Sequence, residues 1–223
     1  VAWCWKEGVT PGFDIVSFTG TGSAQTVAHN LGVAPEFILW KPLTGSANFV
    51  AGHKGLNGGT TPWQYYTQFN STAAQAASSS PWNNTAPTSS VFTVGNNAAN
   101  TVAQIAYVFV PVAGFSKFGS YAGNGSTNGP FVVCGFQPRF IMWKRVDTTG
   151  AWYIYDTVRR TYNVMDGWIN PNASTAESTG SEDMDILSNG FKPRSANTDI
   201  NASGGTYIFA AFAEFPFKTA NAR

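Results

Sequence analysis

Seven residues of this chain occur twice, at a spacing that then holds for most of its length. Pro35-Glu36-Phe37-Ile38-Leu39-Trp40-Lys41 returns as Pro138-Arg139-Phe140-Ile141-Met142-Trp143-Lys144, five identities at an offset of 103 residues. The same offset carries Ser17, Gly20, Gly22 and Ser23 onto Ser120, Gly123, Gly125 and Ser126, and Gly32 onto Gly135. It also carries Ser71-Thr72-Ala73 onto Ser174-Thr175-Ala176, and Ile105 and Phe109 onto Ile208 and Phe212. One register kept over this distance reads as an internal duplication. Solenoid and propeller units run to roughly 20–50 residues, whereas a β-sandwich needs about 100 to bury two facing sheets. The expected fold class is therefore all-β, two tandem antiparallel β-sandwich units related by the duplication. Residues 1–11 are expected to be a lead-in, 12–113 the first repeat and 114–223 the second.

Composition agrees with strands. Leucine occurs five times, while Gly, Ser, Thr and Asn together make up 82 of the 223 residues. Amphipathic helices are built from Leu, Glu, Lys and Ala; short strands are joined by Gly, Asn, Ser and Thr turns and filled with aromatics. In the first repeat, strands are expected near 13–19, 24–29, 36–43, 47–53, 64–69, 90–94 and 102–110. Turn clusters such as Gly20-Thr21-Gly22, Thr44-Gly45-Ser46 and Gly58-Gly59 separate them. The stretch from Ser71 to Ser80 reads as loop. Pro35 and Pro138 each start a strand, because proline cannot donate to a ladder. Phe37 and Leu39 then face one way, Ile38 and Trp40 the other. Both faces are apolar, as in a central covered strand, and Lys41 and Lys144 are expected to end it at solvent.

Charge excludes several function classes. Only 11% of residues are charged and the net charge is +1, so no broad field exists to hold nucleic acid or an anionic membrane. No apolar run approaches the roughly 18 residues of a membrane helix. Residues 1–112 hold six charged side chains and the remainder nineteen. Surfaces normally carry roughly 25–35% charge, so the first repeat is either covered by neighbouring subunits or coated with Ser, Thr and Asn. Val1 is not an initiator methionine and no signal peptide opens the chain, which reads as an excised or processed piece.

No catalytic constellation is evident, and no cofactor or metal is expected. There is no Gly-x-Ser-x-Gly elbow, and His29 and His53 are the two imidazoles. His53 falls opposite Asp156 in the second repeat, so whatever it does is not expected to be shared. Glu182-Asp183-Met184-Asp185, close to Glu177, reads as a solvated acidic loop, a calcium site or a glycosidase pair, though it lacks the calcium-loop spacing. Cys4 and Cys134 are too few for a disulfide framework; buried free thiols and a single bridge stay open. Aromatics supply the site expectation. Ala151-Trp152-Tyr153-Ile154-Tyr155-Asp156 alternates, and Tyr162 and Trp168 come next in turn-rich sequence. Tyr153, Tyr155, Tyr162 and Trp168 are the candidate ligand-binding residues, their rings stacking on sugars, with core or subunit contact as the competing reading.

The phrases Gly12-Phe13-Asp14-Ile15-Val16-Ser17-Phe18-Thr19-Gly20-Thr21-Gly22, Leu31-Gly32-Val33-Ala34-Pro35 and His53-Lys54-Gly55-Leu56 resemble a domain of tailed-bacteriophage tail-fibre proteins. So do Asn83-Asn84-Thr85-Ala86-Pro87-Thr88-Ser89-Ser90-Val91-Phe92 and the ending Tyr207-Ile208-Phe209-Ala210-Ala211-Phe212-Ala213-Glu214. The likeness spans nearly the whole chain, including the Trp3-Cys4-Trp5-Lys6 lead-in, and implies that residues 1–11 are a lead-in strand from a preceding lectin-like domain. It implies a non-enzymatic virion protein, a tail-fibre or related appendage module for host-surface attachment. It also implies a homo-oligomer, a trimer by preference, whose partners are other virion proteins and a host cell-surface glycan or protein. A lectin-like carbohydrate-binding module of a secreted protein is the alternative expectation, and a tailspike depolymerase the weakest.

Overall fold

The computed structural model describes residues 3–96 and 101–214; the first two residues of the expected lead-in and the last nine of the second repeat lie outside them. The chain forms two compact units. The N-terminal one comprises Cys4–Ser71 and Gln75–Pro111; the C-terminal one begins at Val112 and takes in Trp3 and Thr72–Ala74. The lead-in is not a separate element. Gly8 bridges to Phe13, and Trp5 packs edge-on to Phe109 at 6.4 Å.

In the N-terminal unit the strands are β1 (Phe13–Thr19), β2 (Gln25–Ala28), β3 (Phe37–Pro42), β4 (Val50–His53), β5 (Tyr65–Gln68), β6 (Ala76–Ala77), β7 (Val91–Val94) and β8 (Ala103–Phe109). They make a six-stranded sheet in the order β1-β8-β3-β4-β5-β6 and a two-stranded sheet β2-β7. β6 falls in the stretch read as loop: Ala76 and Ala77 pair with Tyr66 and Tyr65. The alternation expected of β3 sets the core. Ile38 and Trp40 join Ala106 and Val108 of the large sheet with Val27, Phe92 and Val94 of the small one. Trp82 lies edge-on to both Trp63 and Trp40, at 5.1 and 6.5 Å. Gly52 makes this possible, because a Cβ there would sit 2.5 Å from both Trp63 and Trp82.

The C-terminal unit has β9 (Ser116–Ala122), β10 (Val132–Val133), β11 (Phe140–Arg145), β12 (Trp152–Asp156), β13 (Met165–Trp168), β14 (Ser178–Leu187), β15 (Gly190–Pro193), the single helical turn α1 (Thr198–Asn201) and β16 (Thr206–Phe212). Two four-stranded antiparallel sheets, β12-β11-β16-β9 and β10-β15-β14-β13, supply one core. This is the sandwich character expected of aligned, aromatic-filled sheets. Register repeats between units: Phe13 faces Phe109 as Ser116 faces Phe212, and Phe37 faces His53 as Phe140 faces Asp156. Each of these four positions is displaced by the sequence offset of 103. Where the N-terminal unit has Gly52 beneath its tryptophans, the C-terminal unit has Tyr155, stacked on Trp143 at 4.6 Å.

Two expectations are corrected. Glu182-Asp183-Met184-Asp185 is not a loop but part of β14, with core Met184 and Ile186 alternating with half-buried Asp183 and Asp185. Lys144 does not end its strand at solvent; it is fully buried. Its Nζ donates to the carbonyl oxygens of Gly150 and, at 3.2 Å, Thr72, and lies 6.0 Å from the Trp152 ring centroid. Those carbonyls and the ring face satisfy an ammonium that the end-of-strand rule would send to water. Lys41, 103 residues earlier, is half-buried over Phe49.

Desolvation holds the Lys144 ammonium below its ordinary 10.5, at about 8, against an opposing pull from Asp199. The unfolded chain therefore binds more protons between these values, and stability rises with pH through that window. Wild type is expected to gain about 2 kcal/mol between pH 8 and 10 relative to Lys144→Met, read by urea denaturation at each pH. Tyr121 and Tyr207, raised chiefly by burial, oppose this trend above pH 10, which sets the upper bound. Parallel pH dependence in the two proteins would remove Lys144 as its source.

Candidate functional site

β12 ends on Asp156, and its buried carboxylate organises the segment from Thr157 to Asn163. Oδ1 accepts from the backbone N–H of Val158 at 3.1 Å and Arg159 at 2.9 Å, while Oδ2 accepts from Arg159 Nε. Arg159 also donates to the Ile154 carbonyl and pairs with Glu177 at 3.2 Å. Arg160 pairs with Glu177 at 3.4 Å and with Asp166 at 3.1 Å. Asn163 clamps the far end of the segment, its amide donating to Ile186 O at 2.8 Å and accepting from Ile186 N at 2.9 Å. An Asx turn, an ionic network and an amide clamp thus fix residues 157–163 as a rigid wall.

That wall encloses a cleft of about 330 Å³, within the range of small-ligand sites. Met165 and Ile186, both core residues, form its apolar floor. Gln137, Thr157, Thr161 and Tyr162 stand at its rim, and Arg139 and Glu214, which also line it, pair at 3.4 Å. Tyr162 is 84% exposed, with Val158 of the same segment at 53% and Val164 just beyond it at 47%. An apolar floor, an open aromatic ring and uncommitted hydroxyl and amide groups together can hold a polyol with one apolar face.

Of the four candidate binding residues, the structure brings only Tyr162 to this cleft. Tyr153, Tyr155 and Trp168 are 5%, 0% and 8% exposed. Tyr153 and Tyr155 stack on Trp143, Trp168 stacks on Tyr155 at 6.5 Å, and the Tyr153 hydroxyl donates to Asp199. These three are corrected to core residues: Tyr153 and Tyr155 lie on the face of β12 turned toward the second sheet, and Trp168 comes from β13 of that sheet. Sequence reasoning missed the other cleft residues, although a signal existed. In the N-terminal unit Glu36 pairs with Lys54 at 2.7 Å, and 103 residues on these positions are Arg139 and Thr157. The backbone bond between them persists: Lys54 N donates to Glu36 O, and Thr157 N to Arg139 O. Only the side-chain pair is lost, which leaves Arg139 for Glu214.

The histidines and cysteines have structural surroundings. His53 Nδ1 accepts from Gly55 N at 2.9 Å, the same i+2 bond that Asp156 makes to Val158. Imidazole and carboxylate thus share one backbone-capping role, correcting the expectation that what His53 does is not shared. His29 accepts from Leu31 N through Nδ1, and its Nε2 lies 3.1 Å from Thr88 O. Cys4 is an exposed free thiol and Cys134 a buried one, so no bridge joins them and only the second is buried as expected. Burial pushes the Cys134 thiol up to about 12, which suppresses its thiolate. Among the described residues no three His, Cys, Asp or Glu side chains converge to hold a metal, and no helix is long and apolar enough to cross a membrane.

Comparison with known proteins gives a family model, described as a domain of unknown function (DUF7483), that matches residues 1–216. No curated protein and no solved structure matches the chain.

Proposed function

The chain belongs to the DUF7483 family, and we propose that it is a virion structural protein, a tail-fibre or related appendage module that attaches to a bacterial surface without catalysis. We read its two units as copies of one sandwich, a reading supported by the register they share at an offset of 103 residues. The observation that carries attachment is the cleft of the C-terminal unit, with Tyr162 open at its rim. Its ligand is a host cell-surface glycan, the ring lying against Tyr162 and the hydroxyls meeting the rim. The scarcity of charge in the first 112 residues supports a homo-oligomer, a trimer in line with the fibre resemblance; a light-scattering mass of one 23.9 kDa chain would overturn it. The virion and its other proteins supply the remaining partners.

Tyr162→Ala is expected to weaken binding to host cells or envelope glycan about tenfold, the loss of one stacking ring and its buried area. Its melting temperature should stay within a degree or so of wild type, because exposed positions contribute little. Unchanged binding would sink the assignment of this cleft to attachment.

A further inference from the structure

We infer that the cleft selects uncharged saccharides, and that the Glu214 carboxylate sets this choice by holding Arg139. The inference rests on the attachment reading and names the ligand class of the same site. Arg139 and Glu214 are the ionised side chains among the cleft residues, and they neutralise each other. Behind the wall, Arg159 and Arg160 are already matched by Asp156, Asp166 and Glu177, two cations against three carboxylates. An anionic sugar entering this site loses hydration and finds no unmatched cation to replace it. It would have to displace Glu214 from Arg139 and leave that carboxylate beside its own.

A neutral sugar faces no such cost. The ion pair is a single contact at 3.4 Å between one guanidinium nitrogen and one carboxylate oxygen. The remaining Arg139 N–H groups and the second Glu214 oxygen are uncommitted among the described residues. A hydroxyl both donates and accepts, so adjacent hydroxyls on one ring can accept from Arg139 and donate to Glu214 together. Thr157 and Gln137 offer uncharged partners at the same rim. In the N-terminal unit the corresponding positions are tied together by the closer 2.7 Å pair of Glu36 and Lys54. With Arg139 and Thr157 there instead, the guanidinium has only the longer 3.4 Å contact to Glu214.

The test is titration of the full chain with neutral hexose oligosaccharides and hexuronate oligosaccharides of matching linkage. Wild type is expected to prefer the neutral set by about tenfold or more. Glu214→Gln, at a half-exposed position and of nearly the same shape, should free Arg139 and raise hexuronate affinity about tenfold. Adding Arg139→Gln to that variant should abolish the gain, which separates a freed guanidinium from a mere loss of negative charge. Equal or better hexuronate binding by wild type, or an unchanged preference in Glu214→Gln, overturns the inference; if Tyr162→Ala still weakens binding, the attachment reading survives. Failure of wild type to bind any member of either set overturns both.

Discussion

Replacing Trp143 with alanine is expected to remove about 3–5 kcal/mol from the stability of the C-terminal unit. The indole is fully buried and stacks on Tyr153 at 5.3 Å and 7° and on Tyr155 at 4.6 Å and 29°. Its Nε1 has no hydrogen-bond partner among the described residues, so its contribution is burial and ring packing rather than a polar bond. Trp143→Phe should therefore recover much of the loss, since no acceptor is stranded. Urea denaturation followed by far-UV circular dichroism would measure both. A loss below about 1 kcal/mol for the alanine variant would mean that the surrounding rings close the cavity, against the cost usual for so large a deletion. Tyr153→Ala with Trp168→Ala belongs to the same experiment and should also fall steeply, as core residues do.

The second large effect is expected at Asp156. Its carboxylate is 1% exposed and is bound by two backbone N–H groups and the Arg159 guanidinium. Asp156→Ala leaves a largely buried cation short of its nearest partner and two N–H groups unmet, a change that costs about 3–5 kcal/mol. Asp156→Asn keeps an acceptor for the backbone and should lose less. Combining Asp156→Ala with Arg159→Met removes the stranded charge and should restore part of the loss. A double-mutant cycle by denaturation gives the coupling directly. Additivity of the two single substitutions would show that the pair contributes nothing beyond its separate parts.

Strand positions were legible because they depend on local alternation and turn residues. The strands expected near 36–43 and 102–110 correspond to β3 and β8. Which face of an alternating strand is covered depends on partners remote in sequence. Trp152-Tyr153-Ile154-Tyr155 alternates as an exposed platform would, yet both of its faces are buried. The cleft was illegible for a related reason. Residues 137–139, 157–163, 186 and 214 are brought together by β11, β12, β14 and the end of β16, and no sequence spacing joins them. Tyr162 was recoverable because it sits in a turn-rich segment, where rings have no sheet to cover. Lys144 misled because a lysine at a strand end finds water unless a distant carbonyl intervenes, and Thr72 is 72 residues away.

The shared register has a cost for a chain carrying two such units. A strand from either half could dock in the other with the register of β3-β4 or β11-β12 kept, and exchange of this kind is a characteristic failure of multidomain chains with similar units. The side chains oppose it at two points. Tyr155 delivered to the place of Gly52 would enter space that Trp63 and Trp82 already occupy to within 2.5 Å of a Cβ. Lys54 delivered to the place of Thr157 would lie beside Arg139 rather than Glu36, like charge against like. The different side chains at these pairs let each half recognise its own strands even where the backbone register is the same.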